Sequence, residues 1–160
     1  MILCLVVEPR SLLLVELLYG YGPEVAEWVK RELEMESGFG PCEAIGVVSE
    51  GRIIAGIVYS QYRHPSIEMA IASISPRWAN RRILRALFDY PFNELKCKRI
   101  TVLVDSDAKD VRSFDERLGF VFEGILREAN PNGDAAIYGM LKNECRWIDG
   151  QEKLPQSAKS

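Results

Sequence analysis

The chain has 160 residues, room for one compact domain and no second, and its 48% hydrophobic content is ample for a continuous buried core. A formal charge of −3 excludes the overall positive field that steers a chain onto nucleic acid, so any polyanion site has to be local. Cys4, Cys42, Cys97 and Cys145 lack CxxC spacing and His64 is the only imidazole, which argues against a metal centre and reads as reduced thiols in a cytoplasmic protein.

Met1 to Val7 is apolar but short and meets Glu8 and Arg10 with no preceding basic region, so Ile2 to Val7 reads as a buried strand, not a signal peptide or membrane span. Leu12, Leu13, Val15 and Leu18 begin a helical region. A second helix starts near Pro23, carries Val25, Trp28, Val29 and Leu33 at helical spacing, and is broken by Gly38 to Pro41. Glu43 to Val48 and Ile53 to Tyr59 flank a turn at Ser49 to Arg52, and Ser66 to Ser75 follows a second turn at Arg63-His64-Pro65, which predicts an antiparallel meander.

The period then changes. Ile83, Leu84, Leu87 and Phe88 form a helical stripe that Pro91 should kink or end near Tyr90. Arg99 to Asp105 is apolar and β-branched between charged ends, as in a central strand, and should pair in parallel with the strand before the helix. A last helix follows, with Asp107 as N-cap, Val111, Phe114 and Leu118 as core stripe and Gly119 as left-handed stop. Phe120 to Phe122, Leu126 to Ala129 and Ile137 to Cys145 close the domain around the hairpin signal Asn130-Pro131-Asn132-Gly133-Asp134. The domain should span 1–148, leaving 149–160 as a polar tail.

Glu116-Arg117-Leu118-Gly119-Phe120, Glu123-Gly124 and Leu126-Arg127-Glu128, continued by Asn132-Gly133-Asp134 and Tyr138-Gly139-Met140-Leu141, resemble the ExLGFxxEGxLR pattern of GNAT N-acetyltransferases, closest to the branch that acetylates ribosomal-protein N-termini. The order β-α-α-β-β-β-α-β-α-β-β agrees with that superfamily. The resemblance implies an α/β (α+β) fold, with a central mixed, twisted sheet of six to seven strands flanked by about four helices. It also implies transfer of an acetyl group from acetyl-CoA to a primary amine, a protein N-terminus or a small molecule, by direct attack. The motif residues themselves read as architecture: Gly119 permits positive φ, and Leu118 and Phe120 fill the core.

By the same resemblance the pantetheine arm of coenzyme A lies between the fourth and fifth strands, against the amides of Ala72, Ser73 and Ile74. Its pyrophosphate meets the next helix, where unpaired amides and the helix dipole favour an anion. The family writes [QR]xxGx[GA] at that loop. This chain has Arg77-Trp78-Ala79-Asn80-Arg81-Arg82, so Asn80 and Arg82 replace both small residues. Arg77, Arg81 and Arg85 share one face if the helix begins by Arg77, as a phosphate clamp or a solvated face. Trp78 reads as a lid on the coenzyme or as core.

Glu68 is the candidate base: strand alternation sets it with Ala70 and Ala72, small residues that leave room for substrate, and partial burial would raise its pKa. An exposed edge-strand Glu is the alternative. The family's thiolate-protonating Tyr is replaced by Asp115, and its cofactor-contacting Asn by Ala108, which leaves Tyr138 as substitute acid or as packing. Tyr19 and Tyr21 read as acceptor-side residues or turn aromatics, and His64 as a surface turn residue. The altered loop keeps a non-catalytic binding module as an alternative. The arginines keep a nucleobase-modifying protein as another, against which the net negative charge argues. No membrane partner is expected, and homodimerisation stays open.

Overall fold

The computed structural model describes residues 14–148. One seven-stranded sheet runs in the order β1-β2-β3-β4-β5-β7-β6. Its strands are β1 (Val15–Leu18), β2 (Cys42–Ser49), β3 (Arg52–Arg63), β4 (Ser66–Ser73), β5 (Arg99–Asp105), β6 (Val121–Asn130) and β7 (Gly133–Leu141). The helices are α1 (Gly22–Glu32), α2 (Arg81–Asp89) and α3 (Lys109–Leu118). Only the β4–β5 pair is parallel, as a helical crossover requires; every other pair is antiparallel.

Alternation along the strands divides the core into two layers. Ile57, Met69, Ile100 and Tyr138 face α2 and α3, while Val58, Ala70 and Ala72 face α1, whose Val25 and Val29 are fully buried. Gly119 ends α3 at φ +112, the left-handed stop expected of it.

Several elements depart from the sequence reading. Val15 to Leu18 is a strand, not a helix: it pairs with Gly46 to Ser49 at the sheet edge, so among the described residues a single helix lies between β1 and β2. The expected strand at Ile2 to Val7 and the tail from Asp149 lie outside the described residues, which hold three α-helices. Pro91 does not end its helix outright; a π turn, Tyr90–Glu94, carries the chain on, with Leu95 N–H bonded to the Tyr90 carbonyl. Ala108, not Asp107, caps α3, without a side-chain bond. The two expected strands after Gly119 are one strand, β6, broken by bulges at Phe122/Gly124 and Leu126/Asn130.

Candidate active site

The parallel pairing of β4 with β5 lasts only three residues, Ser66 with Arg99, Ile67 with Ile100 and Glu68 with Thr101. Beyond it β4 continues to Ser73 and β5 to Asp105, so the strands diverge into a gap closed at Glu68 and Thr101. Trp78, which follows β4, meets Phe114 of α3, which follows β5, with ring centroids 5.8 Å apart, joining the segments that leave the two strands.

The Ile74 amide bonds the Ile54 carbonyl at 2.9 Å. Because amides alternate along an antiparallel strand, those of Ala72 and Ala70 also face β3, and those of Ile71 and Ser73 point into the gap. Of the three amides expected to meet the coenzyme, Ala72 and Ile74 are therefore committed to the sheet; Ser73 is exposed at the gap, and Ile71 joins it. Ala70 and Ala72 do not open space for substrate either, because they pack into the cluster beneath α1.

The loop at the head of α2 binds itself. Arg77 N–H reaches Ser75 Oγ at 3.4 Å and Ala79 N–H the Pro76 carbonyl at 3.3 Å. Asn80 is the N-cap, with φ −83 and its Oδ1 accepting from Ile83 N–H at 3.0 Å. Its replacement of glycine thus supplies a capping oxygen, not a left-handed residue. Arg77 bonds Ser49 Oγ at 2.9 Å from a separate 3₁₀ turn, Pro76–Trp78, and Arg82 bonds the Val15 carbonyl at the sheet edge. The expected three-arginine stripe therefore reduces to Arg81 and Arg85, both exposed on α2. Trp78 is 1% exposed, a core residue and not a lid.

Glu68 is half-buried, and burial holds its carboxyl above the usual carboxylate range. Among the described residues it makes no ion pair and no side-chain hydrogen bond. On the same face, Arg99 grips Glu123 through both guanidinium nitrogens, at 2.9 and 2.5 Å, and its Nε donates to Thr101 Oγ1 at 2.8 Å. This pair lies over Gly139, where an added Cβ would stand 2.5 Å from Glu123 Oε1.

Tyr138 cannot serve as the acid. Fully buried, its hydroxyl donates to Glu116 Oε1 at 3.0 Å and accepts from Arg112 Nε at 2.9 Å, so its proton already has an acceptor. Arg112 and Glu116 lie four residues apart on one face of α3, a spacing that brings both to a tyrosine beneath; that was the sequence signal for this lock. The group the sequence reading passed over is Asp115. It is 5% exposed, its Oδ2 has no hydrogen-bond partner among the described residues, and burial first, then Glu116, raises its pKa to about 7.

Tyr19 and Tyr21 are 57% and 54% exposed in the loop before α1. Burial, then Glu94 of the π turn and Asp89, the last residue of α2, raise the Tyr19 pKa, which sets this tyrosine near the C-terminal end of α2, away from the Asn80 cap. His64 lies in an exposed turn. A cavity of about 660 Å³ separates α1 from the Gly38–Pro41 loop, and Glu68 is not among its lining residues. No three metal-ligating side chains cluster among the described residues, and no helix there is long and apolar enough to cross a membrane.

No protein-family model matches the sequence, and no curated protein matches it. Solved structures do. A spermidine/spermine N-acetyltransferase, SpeG, from Vibrio cholerae superposes with a TM-score of 0.63 at 17% identity, over 80% of this chain and 95% of that one. The ribosomal-protein-S5-alanine acetyltransferase from Vibrio fischeri does so at 0.55 and 19%, over 66% and 63%. A protein described as a probable acetyltransferase gives 0.57 and 20%, over 74% and 68%. At such identities the likeness concerns architecture: the chain has the GNAT acetyltransferase fold.

Proposed function

We propose that this chain is an acyl-CoA-dependent N-acyltransferase that moves an acetyl group from acetyl-CoA to a primary amine, a protein N-terminus or a small molecule. The observation that carries this reading is the β4–β5 gap, closed by a half-buried carboxylate without a partner. The strand-like pantetheine arm finds the Ile71 and Ser73 amides along the gap wall. At the phosphate end, Arg81 and the first turn of α2 supply the charge and dipole that glycine amides supply in the family pattern. When bound, acetyl-CoA supplies an acyl carbon activated by a thiol leaving group.

Glu68 takes the proton from the attacking amine, and burial, which holds its pKa above the usual carboxylate range, makes it a stronger base than an ordinary carboxylate. The acceptor approaches from the α1 face, where Glu68 stands and where one helix replaces the two of the family order. The structural neighbours named above for spermidine and for an alanine of ribosomal protein S5 both act on amines, which favours that acceptor class.

Isothermal titration with acetyl-CoA and coenzyme A tests the reading, and absence of binding to either would sink it. Glu68→Gln is expected to lower kcat on the order of 100-fold with acetyl-CoA affinity intact. The internally bonded Arg77–Arg82 loop favours a second reading, a binding module without catalysis. Tight capture of a protein partner by a chain that binds no coenzyme would establish that alternative.

A further inference from the structure

We propose that Glu123 is a positioning residue: it holds the Arg99 guanidinium flat over Gly139 and so keeps that cation off the Glu68 carboxyl. Its purpose rests on the acyltransferase reading, to which it adds a group that guards the base.

Arg99 stands between two carboxylates. Strand pairing sets Glu68, Thr101 and Gly139 in one row across β4, β5 and β7. Arg99 lies two residues before Thr101, on the same face of β5. Its Nε donates to Thr101 Oγ1 at 2.8 Å, so the side chain runs along the strand to this row. From there the guanidinium has two ways to turn. Glu68 lies one strand to one side and Gly139 one strand to the other, each about 8 Å from Arg99 between Cα atoms, a diagonal that a long side chain spans. The guanidinium is turned to Gly139, where both of its terminal nitrogens bond Glu123. Glu144, which accepts from the Leu141 amide opposite Arg99, adds negative charge on that side.

Two local features fit this choice. Glu123 is the extra residue of a β6 bulge: Phe122 pairs with Tyr138 and Gly124 with Ile137, which leaves Glu123 outside the ladder. A bulge aims a side chain independently of the pairing, here across Gly139 to Arg99. Gly139 supplies the bed, since a Cβ there would stand 2.5 Å from Glu123 Oε1 and 2.7 Å from Arg99 Nη1.

Stability does not account for so much specification. Both side chains are partly in water, and ion pairs so exposed add little to the folded state. What the pair decides is where one cation rests. With the guanidinium on Glu123, the Glu68 carboxyl keeps the raised pKa that its burial gives it and stays open to an amine. Hydrogen bonds from Arg99 draw Glu123 below the usual carboxylate range, so of the two carboxylates Glu68 is left the stronger base. With the guanidinium on Glu68, that order would reverse and the place of the amine beside Glu68 would be filled.

The test is carbon NMR of protein labelled at glutamate carboxyls, with Glu68 assigned from the signal missing in Glu68→Gln. Glu123→Gln is expected to release Arg99 to Glu68 and lower the Glu68 titration midpoint by about one pH unit. Arg99→Met, alone or combined with Glu123→Gln, should hold that midpoint at or above the wild-type value. In turnover, Glu123→Gln is expected to lose on the order of tenfold in kcat at unchanged KM for acetyl-CoA, and adding Arg99→Met should recover the loss. A Glu68 midpoint unmoved by Glu123→Gln overturns the proposal, and so does a loss that Arg99→Met fails to recover, which would assign the pair to packing. Should Glu123→Gln not fold, Gly139→Ala displaces the pair with every charge kept. Its Glu68 midpoint should fall likewise, and an unmoved one overturns the proposal. The NMR measurement needs no substrate. Absence of acetyl-CoA binding would therefore sink the acyltransferase reading separately, while the midpoints still decide whether Glu123 keeps Arg99 from Glu68.

Discussion

The two ends of the β4–β5 gap follow opposite rules. At the head of α2 the polar side chains are used by the protein itself: Asn80 caps the helix, Arg77 holds Ser49 and Arg82 holds the β1 edge. At the closed end Glu68 is half-buried, and on the other face of the sheet Asp115 is buried; among the described residues neither has a partner to repay its desolvation. Unpartnered buried groups are costly and therefore uncommon in structure that only has to be stable. The contrast teaches that the loop departing most from the family pattern has become architecture, and that an unrepaid desolvation is kept at Glu68, where chemistry is proposed.

Trp78→Ala should break the architectural end most severely. Removing a fully buried indole that packs against Phe114 of α3 costs about 3–5 kcal/mol, read by denaturant unfolding. If the indole instead covered the coenzyme, stability would hold and acetyl-CoA affinity would collapse.

Asp115→Asn should act in the opposite sense. The folded pKa of about 7 lies above the ordinary aspartate value of 3.8, so the folded chain binds this proton more tightly than the unfolded chain. The resulting stability is complete below pH ~4 and is lost as pH rises through about 7. At pH 8 the variant should be more stable than wild type by a few kcal/mol, with roughly 4 as the ceiling, and the advantage should shrink toward pH 4. A pH-independent difference would remove Asp115 as the strained group.

Asn80→Ala should cost about 1 kcal/mol through loss of the cap, and Asn80→Gly only a few tenths. If Asn80→Gly also tightens acetyl-CoA binding, the cap and the phosphate compete for the same amides. Smallest is Arg81→Ala, expected to weaken acetyl-CoA binding several-fold, an effect that added salt should erase. Equal loss at low and high salt would mean that Arg81 acts through packing.

The same contrast decides what could be read in the sequence. Gly119, the β6–β7 hairpin and the central strand Arg99–Asp105 were legible because local chemistry fixes them: a left-handed stop, a tight turn and an apolar run. The face that Glu68 shares with Ala70 and Ala72 was legible through strand alternation. Val15 to Leu18 was misread because a four-residue edge strand with apolar residues on both faces offers no period to separate it from a helix. Trp78 and Tyr138 could not be settled locally, since their fates depend on Phe114, Arg112 and Glu116 from a helix distant in sequence. Asp115 was recorded only as a departure from the family pattern. Its isolation is a property of the folded core, and no spacing announces it.

On the other side of the sheet, Gly46 and Gly56 stand directly opposite each other on β2 and β3. A Cβ at Gly56 would lie 2.5 Å from Val29 Cγ2, and one at Gly46 would lie 3.0 Å from Val25 Cγ2. The facing glycines form a keyway into which two valines of α1 fit, so the helix can neither slide nor lift without emptying it. The loops at its two ends, Tyr19–Tyr21 and Gly38–Pro41, are thereby mounted on a fixed axle. If the acyltransferase reading holds, exchanging those loops alone should change the acceptor and leave the axle in place.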